Sequence, residues 1–186
     1  MLFNWRMLEV TGDARYAEIV ETCLYNSVLS GISLDGKKYF YTNPLRISAG
    51  LPYTLRWPKE RTEYISCFCC PPNTLRTLCQ AQNYAYTLGA EGIYCNLYGA
   101  NTLATTWKDQ GEISLTQKTV YPWEGNVRIE FDRVPRKAGA FSLFLRVPEW
   151  CGKATLTVNG EPVPVAAKAN TYAEVKRTWK KGDVVE

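Results

Sequence analysis

The fold of this chain is decided in the stretch 89-GAEGIYCNLY-98, where the spacing of the apolar residues changes. Before Gly89, apolar residues recur every three or four positions, which is typical of amphipathic helices. From Ile93 onward they alternate with polar residues in short segments separated by turn residues, which is typical of strands. The 186 residues are therefore expected to form a helical part over 1–88 and a β part over 89–186.

The helical part is expected to contain three helices. The first is expected over Phe3 to Val10 and ends at Thr11-Gly12. Asp13 can cap the second helix, because its carboxylate accepts backbone N–H groups, and this helix is expected to reach about Leu29. Pro71-Pro72 fits the first turn of the third helix, where a missing N–H costs little, and Tyr86 is expected to lie on the same helix.

Between the second and third helices the sequence predicts mostly irregular structure. A short strand is expected over Lys38 to Thr42, and Asn43-Pro44 breaks it. Residues 46–66 are expected to form a loop, because they include Gly50, Pro52 and Pro58.

The β part has the pattern of an antiparallel β-sandwich. Asn159-Gly160 predicts a tight hairpin, since both residues tolerate positive φ. The final residues, Asp183 to Glu186, are expected to open a strand that has no partner after it. Strands are predicted over 93–98, 113–120, 126–131, 141–147, 154–158 and 172–175.

Composition excludes several classes of function. The 22 Lys and Arg against 18 Asp and Glu are scattered, and no basic stripe or nucleic-acid motif is present, so nucleic acid is not an expected partner. No apolar run approaches the length of about 18 residues that a membrane span needs, so no membrane partner is expected. The first residues lack the features of a signal peptide, and both ends are typical of a fragment.

The seven cysteines predict reduced thiols and a cytoplasmic protein. An odd number, with three of them within four residues, is unlike a disulfide scaffold. The chain contains no His, which excludes Ser-His and Cys-His catalysis by its own residues.

The candidate chemical centre is Cys67-Phe68-Cys69-Cys70-Pro71-Pro72-Asn73. Adjacent thiols rarely pair as disulfides, but two thiolates can share one Zn²⁺. The partial positive charge of a following helix N-terminus also favours thiolate over thiol. The alternative is a set of buried thiols without chemistry, and the spacing by itself does not decide between the two.

A resemblance to glycoside hydrolase family 127, the bacterial β-L-arabinofuranosidases that were formerly an uncharacterised domain family, extends over essentially the whole chain. It is carried, in order, by Asn4-Trp5-Arg6-Met7-Leu8, Thr11-Gly12-Asp13-Ala14-Arg15-Tyr16-Ala17, Leu24-Tyr25-Asn26, Ser33-Leu34-Asp35-Gly36, Tyr39-Phe40-Tyr41-Thr42-Asn43-Pro44, Cys69-Cys70-Pro71-Pro72-Asn73, Tyr121-Pro122-Trp123-Glu124-Gly125-Asn126-Val127 and Arg146-Val147-Pro148-Glu149-Trp150-Cys151.

The resemblance implies an α+β multidomain protein, with the last helices of an (α/α)₆ barrel over 1–88 and a β-sandwich over 89–186. It implies that Cys69 is the nucleophile of a retaining glycosidase acting on a carbohydrate substrate, and that Cys69 and Cys70 bind Zn²⁺. Glu21 and Tyr41 match positions that face the sugar. A homodimer is a candidate assembly of the intact enzyme.

The same resemblance implies what is missing. Two further zinc ligands, a Glu and a Cys, and the acid/base Glu belong before Asn4 in this family. Glu21-Thr22-Cys23 does not replace them, because it follows the Asn-Trp-Arg-Met-Leu segment, and Cys23 is expected in the core. A barrel cannot close with only its last helices, so the 186-residue chain alone is expected to be poorly soluble and inactive.

Other residues have simpler expected roles. Cys67 is expected to be a plain buried thiol, with a place next to the zinc ligands as the alternative. Trp107, Trp123 and Trp150 are expected in the sandwich core. Two other functions stay open: a non-catalytic carbohydrate-binding or structural β-sandwich, and a cysteine-rich zinc or redox module, for which the Cys-x-x-Cys spacing is absent.

Overall fold

The computed structural model describes residues 1–43, 46, 48, 50, 56–165 and 167–186. The predicted break at Pro44 and the loop residue Pro52 lie outside these residues. Helices α1 (Leu2–Thr11), α2 (Ala14–Cys23) and α3 (Cys70–Gln80) are followed by ten strands. The strands are β1 (Tyr86–Leu88), β2 (Gly92–Cys95), β3 (Asn101–Trp107), β4 (Gly111–Thr119), β5 (Val127–Arg133), β6 (Phe141–Val147), β7 (Thr157–Val158), β8 (Glu161–Pro162), β9 (Thr171–Arg177) and β10 (Val184–Val185).

The described residues form two compact units. The first, called the helical unit, comprises Ile19–Asn83 together with Met1 and Leu2. The second, called the β-rich unit, comprises Phe3–Glu18 together with Tyr84–Glu186. Helix α2 therefore contributes its first five residues to the β-rich unit and its remainder to the helical unit. None of the helices in the described ranges is long and apolar enough to cross a membrane.

Helix α2 begins as predicted and ends earlier. Asp13 Oδ1 accepts the backbone N–H of Arg15 at 3.0 Å, which is the expected capping bond. The regular helix stops at Cys23, and a π-helical turn (Leu24–Val28) and a 3₁₀ turn (Leu29–Gly31) follow. Within these turns the Asn26 amide donates to the Thr22 carbonyl at 3.1 Å, and Ser30 Oγ donates to the Asn26 carbonyl. Such side-chain bonds compete with the regular helical pattern.

Two local predictions after α2 were wrong. The strand expected over Lys38 to Thr42 is only an isolated bridge at Tyr39, which pairs with Ile32 and Thr62. Helix α3 ends at Gln80, and Tyr86 lies on β1 rather than on that helix. The apolar spacing continues past the true end of the helix, so periodicity alone misplaced Tyr86.

The strands form two sheets that share one hydrophobic core. The first sheet has the order β1-β2-β6-β9, and the second has the order β3-β4-β5-β10-β7-β8. Ile93, Leu143 and Val175 contribute to the core from the first sheet, and Leu115 and Phe131 contribute from the second. The six strands predicted from the sequence are present, β6 with its predicted ends and the other five with shifted ends; β1, β3, β8 and β10 were not predicted as paired strands.

The prediction of an antiparallel arrangement was wrong for one pair of strands. Every described pairing is antiparallel except that of β2 with β6, which is parallel. A parallel pair needs a long crossover, and β3, β4 and β5 supply it. Gly92 is required in this pair, because a Cβ there would lie 1.9 Å from the Ser142 carbonyl oxygen.

The hairpin at Asn159-Gly160 is confirmed, with φ of 54° and 83° between β7 and β8. The end of the chain differs from expectation. Val184 and Val185 form β10, which pairs with β5 on one side and β7 on the other. The final strand thus has partners, and both precede it in the sequence.

The tryptophans of the β-rich unit do not share one environment. Trp107 is in the core, as predicted. Trp123 is 88% exposed and Trp150 is 62% exposed, so the prediction was wrong for both. Each of them lies in a turn after a strand rather than on a strand face that points into the core.

Candidate functional site

The thiol cluster, defined as Cys67, Cys69 and Cys70, lies at the N-terminus of α3. Cys69 is the N-cap residue, with φ −90° and ψ −54°, and Pro71 and Pro72 follow in the first turn as predicted. The Sγ atom of Cys69 lies 3.6 Å from that of Cys67 and 3.5 Å from that of Cys70. Cys69 is exposed, and the other two thiols are half-buried.

Asn73 holds the backbone of Cys69 in place. The Cys69 carbonyl accepts the Asn73 side-chain amide at 2.8 Å and the Asn73 backbone N–H at 3.2 Å. Arg76 in turn donates to Asn73 Oδ1. Asn73 therefore sets the position from which the Cys69 side chain projects, a role that the sequence did not reveal.

Tyr41 approaches the same sulfur from a distant part of the chain. Its hydroxyl oxygen lies 3.4 Å from Cys69 Sγ, across 28 residues of sequence. The neighbouring backbone is held by reciprocal Tyr39–Thr62 hydrogen bonds, both 3.0 Å, and by the Phe40 N–H bond to the Gly31 carbonyl, also 3.0 Å. These bonds bring a side chain between α2 and α3 in the sequence to the start of α3.

Arg61 adds a second support to the segment that carries Tyr41. Its guanidinium donates to the Ser30 carbonyl at 3.0 and 2.5 Å and lies 4.6 Å from the centre of the Phe40 ring. Asn43 also donates its amide to Ser30 Oγ at 2.8 Å. The turn after α2 and the Tyr41 segment are thereby joined within one unit.

The hydrogen bonds around Cys69 favour its thiolate form. The Tyr41 hydroxyl first, and then the neighbouring thiols, lower the pKa of Cys69 to about 7. The same contact with Cys69 raises the pKa of Tyr41 above its ordinary value. Burial raises the pKa of Cys70, so Cys69 is the thiol of this pair that ionises more readily.

The helix N-terminus contributes less to this effect than the sequence suggested. Pro71 and Pro72 have no N–H, and the Asn73 N–H is bonded to the Cys69 carbonyl. A backbone bond from Cys70 is the last and smallest cause of the lowered pKa of Cys69. The phenol of Tyr41 takes the leading part.

The donor set partly fits a zinc ion. A metal bound tetrahedrally to two sulfurs at about 2.3 Å sets them about 3.8 Å apart, close to the 3.5 Å between the sulfurs of Cys69 and Cys70. Across the described ranges, no group of three or more Cys, Asp or Glu side chains has the arrangement of a metal site. Cys69 and Cys70 can therefore supply part of a zinc shell, and a complete shell needs other ligands.

The remaining predicted residues are distributed as follows. Glu21 lies on α2 and is only 6% exposed, so it is not a solvated helix carboxylate. Cys23, at the end of α2, is half-buried rather than buried, so the expectation of a core position was wrong. Cys67 was expected to be a plain buried thiol, but its sulfur is in contact with that of Cys69.

Trp57 belongs to the site and was missed. Its ring centre lies 4.0 Å from that of Tyr41, with an angle of 32° between the planes. The guanidinium of Arg56 lies 5.3 Å from the Trp57 ring centre. A lone Trp in a loop has no periodicity, so only the presence of an aromatic residue in the predicted loop could have signalled it.

Two family models match almost the whole chain. Residues 1–83 match the β-L-arabinofuranosidase catalytic domain of family 127, and residues 92–186 match the middle domain of the same family. This chain belongs to glycoside hydrolase family 127. The resemblance carried by the motifs is thereby confirmed. The thiol cluster and Tyr41 of this family 127 chain both lie within the range that matches the catalytic domain.

Several relatives are similar to this family 127 chain. A non-reducing end β-L-arabinofuranosidase from Bifidobacterium longum subsp. longum is 33% identical over 169 residues, covering 87% of this chain and 25% of that protein. A solved structure described as a glycoside hydrolase is 86% identical with a TM-score of 0.94, covering all of this chain and 30% of its own.

A crystal structure of a family 127 β-L-arabinofuranosidase from Geobacillus stearothermophilus is 37% identical, with a TM-score of 0.83 over 98% of this chain and 29% of its own. The α+β class of fold is shared with this structure. The chain thus spans between a quarter and a third of the length of these relatives.

Proposed function

We propose that this chain is part of a retaining glycoside hydrolase that releases L-arabinofuranose from plant-type glycans with Cys69 as the nucleophile. The observation that carries the proposal is the exposed Cys69 sulfur, which lies 3.4 Å from the Tyr41 hydroxyl and has a pKa lowered to about 7. A thiol with this pKa is substantially ionised near neutral pH, and the thiolate is the reactive form. Membership of family 127 supports the proposed substrate class.

The chain's own residues have defined parts in this reaction. The Cys69 sulfur attacks the anomeric carbon and displaces the leaving group, forming a glycosyl thioether that water then hydrolyses. Asn73 holds the Cys69 backbone, and the Tyr41 hydroxyl stabilises the thiolate before attack. Two displacements at the same carbon give overall retention of configuration.

Cys69 and Cys70 are the residues proposed to bind Zn²⁺, together with ligands that this chain does not supply. When bound, the ion would hold the Cys69 sulfur deprotonated. The close approach of the two sulfurs supports this assignment. The acid/base Glu is proposed to lie on another part of the intact enzyme.

Glu21 and Tyr41 are proposed to contact the sugar. Glu21 is proposed on the resemblance of its position to one that faces the sugar, and it belongs to the same compact unit as Tyr41. Tyr41 is supported by its place beside the nucleophile. Trp57 is added here, since an aromatic face beside Tyr41 can pack against the apolar face of a sugar ring.

The proposed domains, location and assembly of the intact enzyme are those that the sequence analysis predicts. Residues 1–88 are proposed to complete an (α/α)₆ barrel and 89–186 to form a β-sandwich, so the 186-residue chain alone is proposed to be inactive. The thiol cluster supports a reducing cytoplasmic location. A homodimer is proposed for the intact enzyme.

The test uses a polypeptide extended upstream by the proposed barrel helices. We expect about one bound zinc per chain and hydrolysis of an aryl β-L-arabinofuranoside. Cys69→Ser should abolish turnover, and Cys70→Ser should lower zinc content. Cys79→Ser is the matched control, because Cys79 is an exposed thiol on the same helix outside the cluster.

The second candidate is a carbohydrate-binding module without catalysis, which the exposed Trp123 and Trp150 favour. It predicts sugar affinity in the absence of zinc and an unchanged affinity in Cys69→Ser. Unchanged turnover or unchanged zinc content in both cluster variants would remove the cysteine glycosidase proposal and leave this candidate.

A further inference from the structure

We propose that Cys67 and Cys69 are a reversible oxidation site, in which Cys67 closes a disulfide with Cys69 when the chain meets hydrogen peroxide. The two sulfurs lie 3.6 Å apart. A disulfide needs about 2.05 Å, so side-chain rotation has to bring them closer by less than the length of one carbon–sulfur bond. Cys67 thus has a role that neither the proposed catalytic step nor the proposed zinc shell gives it.

Cys70 is equally close to Cys69, at 3.5 Å, but its backbone makes it the poorer partner. Adjacent cysteines can join only in a strained ring. Cys70 is also the first residue of α3, and its carbonyl accepts the Thr74 hydroxyl at 3.1 Å. Cys67 lies before the helix in irregular structure, where the chain can adjust without breaking helical hydrogen bonds.

Access distinguishes this cluster from the other thiols. Cys69 is exposed, and the side chain of Phe68 next to it is exposed as well. Cys95 is fully buried in the core of the β-rich unit and is closed to an aqueous oxidant. Cys79 is exposed but lies outside the cluster, so an oxidised Cys79 has no cluster thiol to resolve it.

The chemistry balances with one peroxide. The Cys69 thiolate attacks one peroxide oxygen, the O–O bond breaks, and the departing hydroxide takes a proton to become water. The resulting Cys69 sulfenic acid is then attacked by the Cys67 sulfur; the S–S bond forms, the S–O bond breaks, and a second water leaves with the Cys67 proton. Two thiols are oxidised by two electrons, and one hydrogen peroxide is reduced to two waters.

The consequence for catalysis rests on the proposed function, whereas the disulfide does not. A disulfide would occupy the proposed nucleophile and remove one of the two proposed zinc thiolates. The disulfide would also protect Cys69 from further oxidation. Thiols reduce a disulfide, whereas simple reductants do not restore a sulfinic or sulfonic acid to a thiol. Reversible inactivation is therefore expected wherever Cys69 catalyses.

The experiment uses the 186-residue chain itself and needs no enzymatic activity. All three cluster thiols lie in one tryptic peptide, because no Lys or Arg occurs between Arg61 and Arg76. The chain is treated with hydrogen peroxide under native conditions and then denatured, alkylated and digested. We expect a 62–76 peptide that has lost two hydrogens and carries its single alkyl group on Cys70.

Each other outcome overturns the proposal. An alkyl group on Cys67 would indicate a Cys69–Cys70 ring, and one on Cys69 would indicate a Cys67–Cys70 ring. Complete alkylation of all three thiols, or sulfinic acid at Cys69 with Cys67 free, would show that Cys67 does not resolve the oxidised thiol.

The variant test is Cys67→Ser, with Cys79→Ser as the matched control. In Cys67→Ser the disulfide should be lost and Cys69 should accumulate as sulfinic acid, which dithiothreitol does not reverse. Cys79→Ser should behave as the parent chain, with full return of free thiols. If Cys69 fails as a nucleophile in the glycosidase assay while this disulfide still forms, only the consequence for catalysis is lost.

Discussion

Strand β6 and helix α3 are stabilised in opposite ways. All seven residues of β6 are buried, including the charged Arg146, whereas none of the eleven residues of α3 is buried. The strand is enclosed by its neighbours β2 and β9 and by the shared core. Helix α3, which begins at the thiol cluster, relies on its proline start, the Asn73 bonds and the contacts of its own unit.

The buried strand stabilises the fold, whereas the exposed helix carries the thiol cluster. An isolated helix of about eleven residues is marginal in water, since most helical stability comes from packing of an apolar face. Two apolar side chains are exposed in this region: Leu75 on α3 and Phe68 just before it. We infer that the β-rich unit is stable by its own packing, whereas α3 gains little stability from burial.

The largest expected effect on the free energy of unfolding comes from removing the Arg146 side chain, which lies in the β-rich unit. Arg146 is 1% exposed; its Nη1 lies 2.6 Å from Glu18 Oε2, and its Nε donates to the Asn96 carbonyl at 2.6 Å. Arg146→Ala leaves the Glu18 carboxylate without this partner in a protected site, so we expect the free energy of unfolding to fall by about 3–5 kcal/mol. Urea denaturation followed by tryptophan fluorescence measures it.

Arg128→Ala is the control for that prediction. Arg128 also pairs with a carboxylate, Glu186, at 3.0 Å, but it is exposed, so the expected loss is at most about 1 kcal/mol. Equal losses in the two variants would mean that the buried pair does not stabilise the β-rich unit. The double change Arg146→Met with Glu18→Leu should recover much of the lost stability, because it removes both charges together.

The second prediction compares matched leucines. Leu143 on β6 is fully buried and Leu75 on α3 is 45% exposed. Leu143→Ala should lower the free energy of unfolding by about 2–5 kcal/mol, because it leaves a cavity. Leu75→Ala should change it by no more than about 0.5 kcal/mol in the 186-residue chain.

The same two leucine variants also test whether the proposed barrel covers α3. The proposed barrel would cover Leu75, so in a polypeptide extended upstream Leu75→Ala should cost about 2 kcal/mol or more, because the lost side chain then leaves a cavity. Differential scanning calorimetry of both leucine variants, in the short and the extended chain, makes the comparison. An unchanged small cost for Leu75→Ala would argue that α3 stays exposed and that no barrel closes over it.

Local signals in the sequence predicted local structure well. The Asp13 cap, the proline start of α3 and the Asn159-Gly160 hairpin are each specified within a few residues, and each is present. Strand β6 was predicted with its observed ends, since a mostly apolar run bounded by Gly139 and Pro148 leaves little freedom. Motifs in both halves of the chain sufficed to identify the family.

Contacts between distant residues could not be predicted from spacing. The Tyr41–Cys69 contact crosses 28 residues, and the Arg146–Glu18 ion pair crosses 128. The role of β10 depends on two partners far back in the sequence. Periodicity describes one element at a time. The cysteine cluster and the family resemblance named Cys69 and Tyr41 as candidates, but neither could derive that their side chains meet.

The smallest expected effect concerns the titration of Cys69. The pKa of this thiol is lowered to about 7, chiefly by the Tyr41 hydroxyl, so alkylation by iodoacetamide should rise with pH through about 7 and then level off. In Tyr41→Phe the hydroxyl is lost, and the midpoint should move upward toward the ordinary thiol value of about 8.5. The rate at pH 7 should then fall by up to about fifteenfold, since less thiolate is present.

The measurement is mass spectrometry of the 62–76 peptide after timed labelling in the presence of a chelator. Tyr64→Phe is the matched control, because Tyr64 is an exposed phenol in the segment that leads to the cluster. Cys95 gives the opposite limit: it is buried, burial raises its pKa, and it should stay unlabelled until the β-rich unit unfolds. An unshifted midpoint in Tyr41→Phe would assign the reactivity of Cys69 to its neighbouring thiols, and Tyr41 would keep only its proposed contact with the sugar.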